Sequence, residues 1–247
     1  LATCPAAGAG PPDRALVVLR TGPAQVFASW RLLGADAPGT TFAVELAERP
    51  EGPFRPGPAP RGAGTNATFT VTAGKPAYVR VRVQAPGRTP EASSSVAVPA
   101  EAADHVSIPL ATRDRAQKAG LGDFDGDGRL DYLVKTPDFN TDPYQRPGYW
   151  KKSEDTYKLT AYRHDGKKLW NYDMGWAIEE GIWYSPVIVC DLDGDGRDEI
   201  ILGSAALSHE GKPLWNTKKG HPDVCYVADF APARPGLEIF YGWEKAQ

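Results

Sequence analysis

From Arg14 onward the chain breaks into short runs in which apolar and polar residues alternate, each bounded by Gly or Pro. The runs are Ala15 to Arg20, Gln25 to Leu33, Thr41 to Leu46, Ala67 to Thr72, Tyr78 to Gln84, Ser93 to Val98 and His105 to Leu110. A period of two over so few residues predicts half-buried strands. Glu51 to Arg61 is rich in proline and reads as a long edge loop, since proline cannot donate to a central ladder. Residues 1 to 13 are mostly Ala, Gly and Pro and read as a leader or linker.

Seven strands over residues 14–110 are the spacing of an immunoglobulin-like or fibronectin type III-like β-sandwich, with Trp30 as a core anchor. Nothing in this stretch gathers acids, His or Cys, so its expected role is structural or positioning.

After Ala111 the pattern becomes a repeat. Asp123-Phe-Asp125-Gly-Asp127-Gly-Arg-Leu-Asp131 and Asp191-Leu-Asp193-Gly-Asp195-Gly-Arg-Asp-Glu199 both put acids at positions 1, 3, 5 and 9 and glycines at 4 and 6. Carboxylates on alternate residues of a tightly turned loop converge on one point, and an all-oxygen cluster suits a hard cation such as Ca²⁺. The EF-hand alternative fails, because position 12 is Val134 or Leu202 where that motif needs Glu. The flanks Val187 to Cys190 and Ile200 to Leu202 read as strands, so each loop joins two strands. A third copy, Cys225 to Tyr241, keeps Asp229 and Glu238 but has lost its interior acids, and metal binding is not expected there.

A second element also recurs. His164-Asp-Gly-Lys-Lys-Leu-Trp170-Asn171 and His209-Glu-Gly-Lys-Pro-Leu-Trp215-Asn216 agree at six of eight positions and read as an outer hairpin followed by a buried Trp. The acidic loops begin at 123, 191 and 229, steps of 68 and 38 residues. The shorter step is close to the roughly 40–50 residues of a four-stranded propeller blade. Residues 111–247 thus read as the first two to three blades of a truncated, calcium-binding β-propeller, and the chain as the N-terminal portion of a longer protein. The first unit carries about 23 extra residues between Thr136 and Lys158. Tyr144, Tyr149, Trp150, Lys151 and Lys152 in that insertion, with Arg146, suit stacking on sugars and pairing with uronate carboxylates.

Charge narrows the partners. Lys and Arg number 28 against 31 acids, a net of -3, which leaves no basic face for nucleic acid. No run reaches the 18 or more apolar residues of a membrane span. Three cysteines are too few for a disulfide scaffold. Cys190 and Cys225 read as buried free thiols, and Leu1-Ala-Thr-Cys4 has the outline of a lipoprotein signal ending with Cys4 as the acylated residue. Asn66-Ala-Thr68 matches the glycosylation sequon.

The order of these motifs resembles the family 11 rhamnogalacturonan lyases of pectin-degrading bacteria. The likeness runs from Val26-Phe-Ala-Ser-Trp-Arg-Leu-Leu-Gly34 through His105-Val-Ser-Ile-Pro-Leu110 to Gly122-Asp-Phe-Asp-Gly-Asp-Gly128. It continues in the His164 turn, Tyr184 to Gly196, and Ala228 to Glu238. The resemblance implies an eight-bladed propeller with structural calcium, acting by β-elimination on rhamnogalacturonan I. A Ca²⁺ on the uronate carboxylate would acidify the C5 proton, a base would remove it and an acid would protonate the departing O4.

The insertion after Lys135, with Asn140 and Asp142, corresponds loosely to a family stretch near the cleft, Asp165 is expected in a turn facing it, and His221 is the one His in a loop without a repeat counterpart. Asn140, Asp165 and His221 are the catalytic candidates. The calcium candidates are Asp123, Asp125, Asp127 and Asp131, and Asp191, Asp193, Asp195 and Glu199, with the carbonyls of Arg129 and Arg197 completing each shell. Gly181 to Pro186 departs from the family's Gly-Ala-His-Tyr pattern, with Ile182 where that His would stand. The expected protein is a monomeric extracytoplasmic lyase, secreted, periplasmic or on the cell surface. The alternative is a non-catalytic carbohydrate-binding or adhesion module with integrin-type repeats.

Overall fold

A computed structural model describes residues 14–33, 36–58, 61–138, 154–176, 186–219, 222–231, 233–234 and 236–243. Every regular element among them is a β-strand. The chain divides into two compact units, with the boundary along the chain between Ser107 and Ile108.

In the first unit, β1 (Val17–Arg20), β2 (Gln25–Ser29) and β5 (Asn66–Thr70) form a three-stranded antiparallel sheet in the order β1-β2-β5. A second antiparallel sheet runs β4-β3-β6-β7, from β3 (Thr41–Ala47), β4 (Arg55–Pro56), β6 (Tyr78–Gln84) and β7 (Glu91–Ala92). The short β8 (Val96–Ala97) also pairs with β6. Alternation does the sorting. Val79, Val81 and Val83 of β6 turn inward and meet Val26, Ala28 and Phe69 of the other sheet in one core. Trp30 lies in that core and meets Phe42 edge to face at 5.9 Å.

The expected strands shift in three places. β2 stops at Ser29, and the chain from Trp30 is held instead by backbone bonds from Trp30 to Thr65 and from Arg31 to Arg14. The run Ser93 to Val98 supplies only β8, and β4 gives the proline-rich loop its single short edge strand on β3. His105 to Leu110 is not a strand. Its alternation finds no sheet edge, Pro109 has no N–H to offer, and Val106 and Leu110 stay exposed.

The second unit begins with the meander β9 (Lys118–Gly122), β10 (Asp131–Thr136), β11 (Lys158–Tyr162) and β12 (Lys168–Asp173). A second meander follows, β13 (Ile188–Cys190), β14 (Glu199–Ile201), β15 (Ala205–Leu207) and β16 (Pro213–Asn216), and then a hairpin of β17 (Pro222–Ala228) and β18 (Glu238–Trp243). The repeat extends to irregularities: both meanders slip register at the same place, at Ala161/Tyr162 and at Ala206/Leu207. Phe124, Leu133, Leu159 and Ala161 share one core with Ile200 and Leu207, so the two meanders bury their apolar faces against each other. Trp170 meets Phe124 edge to face and its indole N–H donates to the carbonyl of His209 at 2.6 Å. Trp170 and Trp215 are half-buried, not buried as the sequence suggests, because they stand on the outer strands β12 and β16. Cys190 and Cys225 are free and likewise half-buried.

A buried ion pair closes the start of the first unit. Arg14 and Asp36 meet at 2.6 Å with their side chains only 6% and 8% exposed, and the Arg14 guanidinium also lies 5.1 Å over Phe42. Asp36 further accepts the Leu33 N–H at 2.8 Å. The hydrogen bond from Arg14 holds the Asp36 carboxyl below its ordinary 3.8, against the opposing pull of burial. A depressed carboxylate stabilises the fold above its unfolded pKa and loses that contribution as pH falls through its folded value. Asp36→Asn should therefore lower the first unit's melting temperature at pH 7, by a cost on the order of 3 kcal/mol for stranding a buried guanidinium. It should also shrink the loss of stability below about pH 4. Melts between pH 2 and 7 that superimpose for wild type and variant would refute the contribution.

Candidate metal centre

Each acidic loop hangs between the first two strands of its meander. Gly122 pairs with Asp131, and Cys190 with Glu199, so the acids at positions 1 and 9 are fixed by the ends of paired strands. Between them the backbone is wound by the side chains themselves. Both oxygens of Asp123 accept N–H groups, from Gly126 and from Gly128, each at 2.7 Å. Asp191 does the same for Gly194 and Gly196, at 2.7 and 3.0 Å. Asp125 and Asp127 then take the N–H groups two residues on, as do Asp193 and Asp195. All four glycines have φ between +77° and +88°, the left-handed region where a side chain is strained.

The closing acid, ninth in the two acidic loops and tenth in the third copy, locks the loop. Asp131 accepts from the Phe124 N–H, Glu199 from Leu192, and Glu238 of the third copy from Phe230 and Ala231. The third loop keeps this closing bond even though its interior acids are gone.

The consequence is a concentration of negative charge. Carboxylate oxygens of Asp123, Asp125 and Asp127 lie within 4.8 Å of one another, and so do those of Asp191, Asp193 and Glu199. Asp131 is 0% exposed and Glu199 3% exposed. Burial pushes Asp131 up to about 6 and Glu199 up to about 7, with the neighbouring loop acids adding to the rise. A buried carboxylate needs a positive partner or it takes up a proton. The arginines do not serve: Arg129 turns to His164 Nε2 at 2.8 Å and Arg197 to His209 Nε2 at 3.4 Å. This clustered oxygen set fits a hard cation such as Ca²⁺.

His164 and His209 complete the picture. A guanidinium only donates, so Nε2 of His164 accepts and its proton sits on Nδ1. That Nδ1 is buried without a hydrogen-bond partner, 3.4 Å from Asp127 and 3.7 Å from Asp131. His209 Nδ1 stands 3.7 Å from Glu199 in the same way. With its proton facing the loop, His164 offers the carboxylates an unused N–H and is not a metal ligand. Burial, and then Arg129, hold its pKa below the usual value, so the ring is neutral near pH 7.

The two loops also grip each other. Asp198 donates its N–H to the carbonyl of Asp123 at 2.8 Å, and its carboxylate accepts the Asp123 N–H at 2.6 Å. Asp198 stands at position 8 of its loop, where the first loop has Leu130. That difference is the only sequence signal for this residue, and spacing alone did not single it out. Lys135 was also missed. It is 1% exposed at the end of β10, 3.8 Å over the Tyr157 ring, and burial lowers its pKa to about 7, with Lys118 adding to the fall.

Asp165 lies in the turn from β11 to β12 and is paired with Arg163. That guanidinium holds its carboxyl far below the usual range, which makes it a weak proton acceptor. Asn140, Asp142, Tyr144, Arg146, Tyr149, Trp150, Lys151, Lys152, Ile182 and His221 lie outside the described residues.

Fold and loops together define a class: an all-β chain whose antiparallel meanders each carry an acidic, glycine-turned loop between their first two strands. The family model described as rhamnogalacturonan lyase family 11, C-terminal domain, matches residues 96–199 and 186–247. The chain belongs to this family. Among characterised relatives it is similar to the rhamnogalacturonan endolyase YesW of Bacillus subtilis, with 42% identity over 99 residues, 38% of this chain and 15% of that protein. It is similar also to the rhamnogalacturonan exolyase YesX of the same organism, with 42% identity over 83 residues, 32% of this chain and 14% of that one. The chain thus spans about one seventh of the length of the curated relatives it matches. Among solved structures, the Bacillus licheniformis rhamnogalacturonan lyase PL11 aligns with a TM-score of 0.54 and 21% identity, over 93% of this chain and 64% of that one. The exotype rhamnogalacturonan lyase YesX aligns with a TM-score of 0.54 and 19% identity, over 93% and 62%. At these identities the structural likeness is one of fold.

Gly122 allows the close approach of the loops. A Cβ there would stand 2.3 Å from a Val189 methyl and 3.0 Å from the Asp198 Cβ. Gly122→Ala should cost about 1–3 kcal/mol by overpacking and lower the melting temperature. A variant that melts with wild type would show that the two meanders are not held this closely.

Proposed function

We propose that the chain works in a calcium-stabilised polysaccharide lyase that cleaves the rhamnogalacturonan I backbone of pectin by β-elimination, outside the cytoplasm. In this reading the first unit is a fibronectin type III-like sandwich and the second supplies blades of a β-propeller. The observation that carries it is the coincidence of the family match over residues 96–247 with two loops built alike for a hard cation.

The loop acids from Asp123 to Asp131 and from Asp191 to Glu199 would hold the ions, with the carbonyls of Arg129 and Arg197 completing each shell. A bound Ca²⁺ supplies the positive charge that lets these carboxylates crowd together. The chain's own residues do the rest. Asp123 and Asp191 wind the backbone around the site, Asp131 and Glu199 close it, and His164 and His209 present N–H groups to it from the outer turns. Asp198 then fixes one loop against the other. The result is a pair of meanders tied together at loops and core, and the segment 139–153 belongs to the connection between β10 and β11 of the first.

In that segment Tyr144, Tyr149 and Trp150 would stack on sugar rings, and Lys151 and Lys152 would neutralise galacturonate carboxylates. Neutralising the carboxylate lowers the cost of the enolate-like charge that develops as the C5 proton leaves. Asn140 and His221 remain candidates for that step, and Asp165, tied to Arg163, is the weakest of the three.

Two outcomes test this reading. With free calcium at 100 times Kd, one site adds about 2.7 kcal/mol to stability. A domain of this size moves by about 2–4 °C per kcal/mol, so EDTA should lower the melting temperature by roughly 5–10 °C, and an unchanged melt would remove calcium from the account. The ultraviolet absorbance of unsaturated uronate should rise when the protein meets rhamnogalacturonan I with calcium, and cease to rise with EDTA. A folded, calcium-loaded protein that produces no rise and still binds the polysaccharide is a binding module instead.

A further inference from the structure

The first unit has a feature that the lyase reading leaves unused. A cleft of about 550 Å³ opens between the loop from β3 to β4 and the turn from β5 to β6. Leu46, Ala47 and Val71 give it apolar walls, and Arg49, Arg55 and Lys75 are also on its lining. Its loops are held in shape by internal bonds. Ser95 Oγ donates to the Pro50 carbonyl at 2.8 Å, the Gly52 N–H to Arg49 at 3.1 Å and the Lys75 N–H to Thr72 at 3.3 Å. A concave, preformed surface of this kind is where ligands bind.

The charges on it are uncommitted. Arg80 and Arg82 of the same sheet are both spoken for by Glu45, at 2.7 and 3.4 Å. Arg49, Arg55 and Lys75 are exposed and make no ion pair among the described residues, not even with Glu48, the one acid on the lining. They also stand out against the whole chain. Residues 14–107 hold ten Lys and Arg against seven acids, whereas residues 108–247 hold 18 against 23. The net charge of the protein hides a basic first unit and an acidic second.

We propose that this cleft is a binding site for the carboxylates of an acidic polysaccharide, a contact separate from the elimination site. The choice of a uronate polymer as ligand rests on the lyase reading; the cleft, its walls and its free cations do not. Two guanidiniums can each take a carboxylate bidentately, Lys75 adds a point charge, and the apolar walls suit the faces of sugar rings. The sandwich then holds the substrate chain and raises its local concentration for the second unit.

The test is calorimetric titration of the full chain, in one calcium buffer, with trigalacturonate, with its neutral methyl ester and with a short single-stranded oligonucleotide. Wild type should bind trigalacturonate, lose affinity as salt rises, and bind the ester far more weakly. The triple variant Arg49→Gln, Arg55→Gln, Lys75→Gln should bind roughly tenfold more weakly at an unchanged melting temperature. Arg49→Gln with Lys75→Gln, which leaves Arg55 in place, should bind more weakly than wild type by a smaller factor, and it decides the matter if the triple variant fails to fold. No binding by wild type, equal affinity of wild type and the glutamine variant, equal affinity for acid and ester, or a preference for the oligonucleotide would each overturn the proposal. Trigalacturonate is not rhamnogalacturonan, so a chain without lyase activity can still pass this test. A chain that cleaves rhamnogalacturonan but shows no difference among the variants loses only the cleft.

Discussion

The second unit is governed by one electrostatic problem, the crowding of carboxylates in two loops whose closing acids, Asp131 and Glu199, are almost wholly buried. Like charges at this separation in a low-dielectric setting repel strongly unless a cation or a proton intervenes. The fold spends backbone donors on them first: Gly126, Gly128, Gly194 and Gly196 each point an N–H at the first acid of their loop. These bonds set the loop's shape but do not cancel its charge. The pKa of Asp131 and of Glu199 stays raised even though Asp131 accepts two backbone N–H groups and Glu199 one.

That shape is passed outward along defined contacts. Loop one is joined to loop two through Asp198, and the outer turns are joined through Trp170 and His209. Between these two seams lies the shared core of Phe124, Leu133, Leu159, Ile200 and Leu207. An ion in either loop would therefore stabilise packing that neither meander completes alone, as in other stacked repeats. The third hairpin shows the other limit. It keeps the closing bond from Glu238 without a cluster of acids, so loop closure and charge clustering are separable properties of the repeat.

The two units differ in what holds them. The first is a hydrophobic core between two sheets, closed by the Arg14–Asp36 pair, with its outward charges partly neutralised on Glu45. The second distributes its stability over loops, seams and core. The first unit is therefore basic and apolar-cored, the second acidic and built on its loops.

Local pattern determined a good part of this from the sequence alone. Period-two alternation located most strands, and the fixed places of Asp and Gly located both acidic loops, because a loop closed by its own side chains needs nothing from elsewhere. The turns at His164 and His209 were legible for the same reason. Tertiary structure decided what depends on distant partners. His105 to Leu110 alternates like a strand but meets no edge, and Lys135 looks like a solvated lysine until Tyr157 covers it. Asp198 looks like one more loop acid, yet its partner is Asp123, 75 residues away. The cleft cations could not be told from paired ones, because only the fold shows that Glu45 reaches Arg80 and Arg82 and that no acid reaches Arg49, Arg55 or Lys75 among the described residues. Short-range chemistry is written in spacing; burial and pairing across the chain exist only once it has folded.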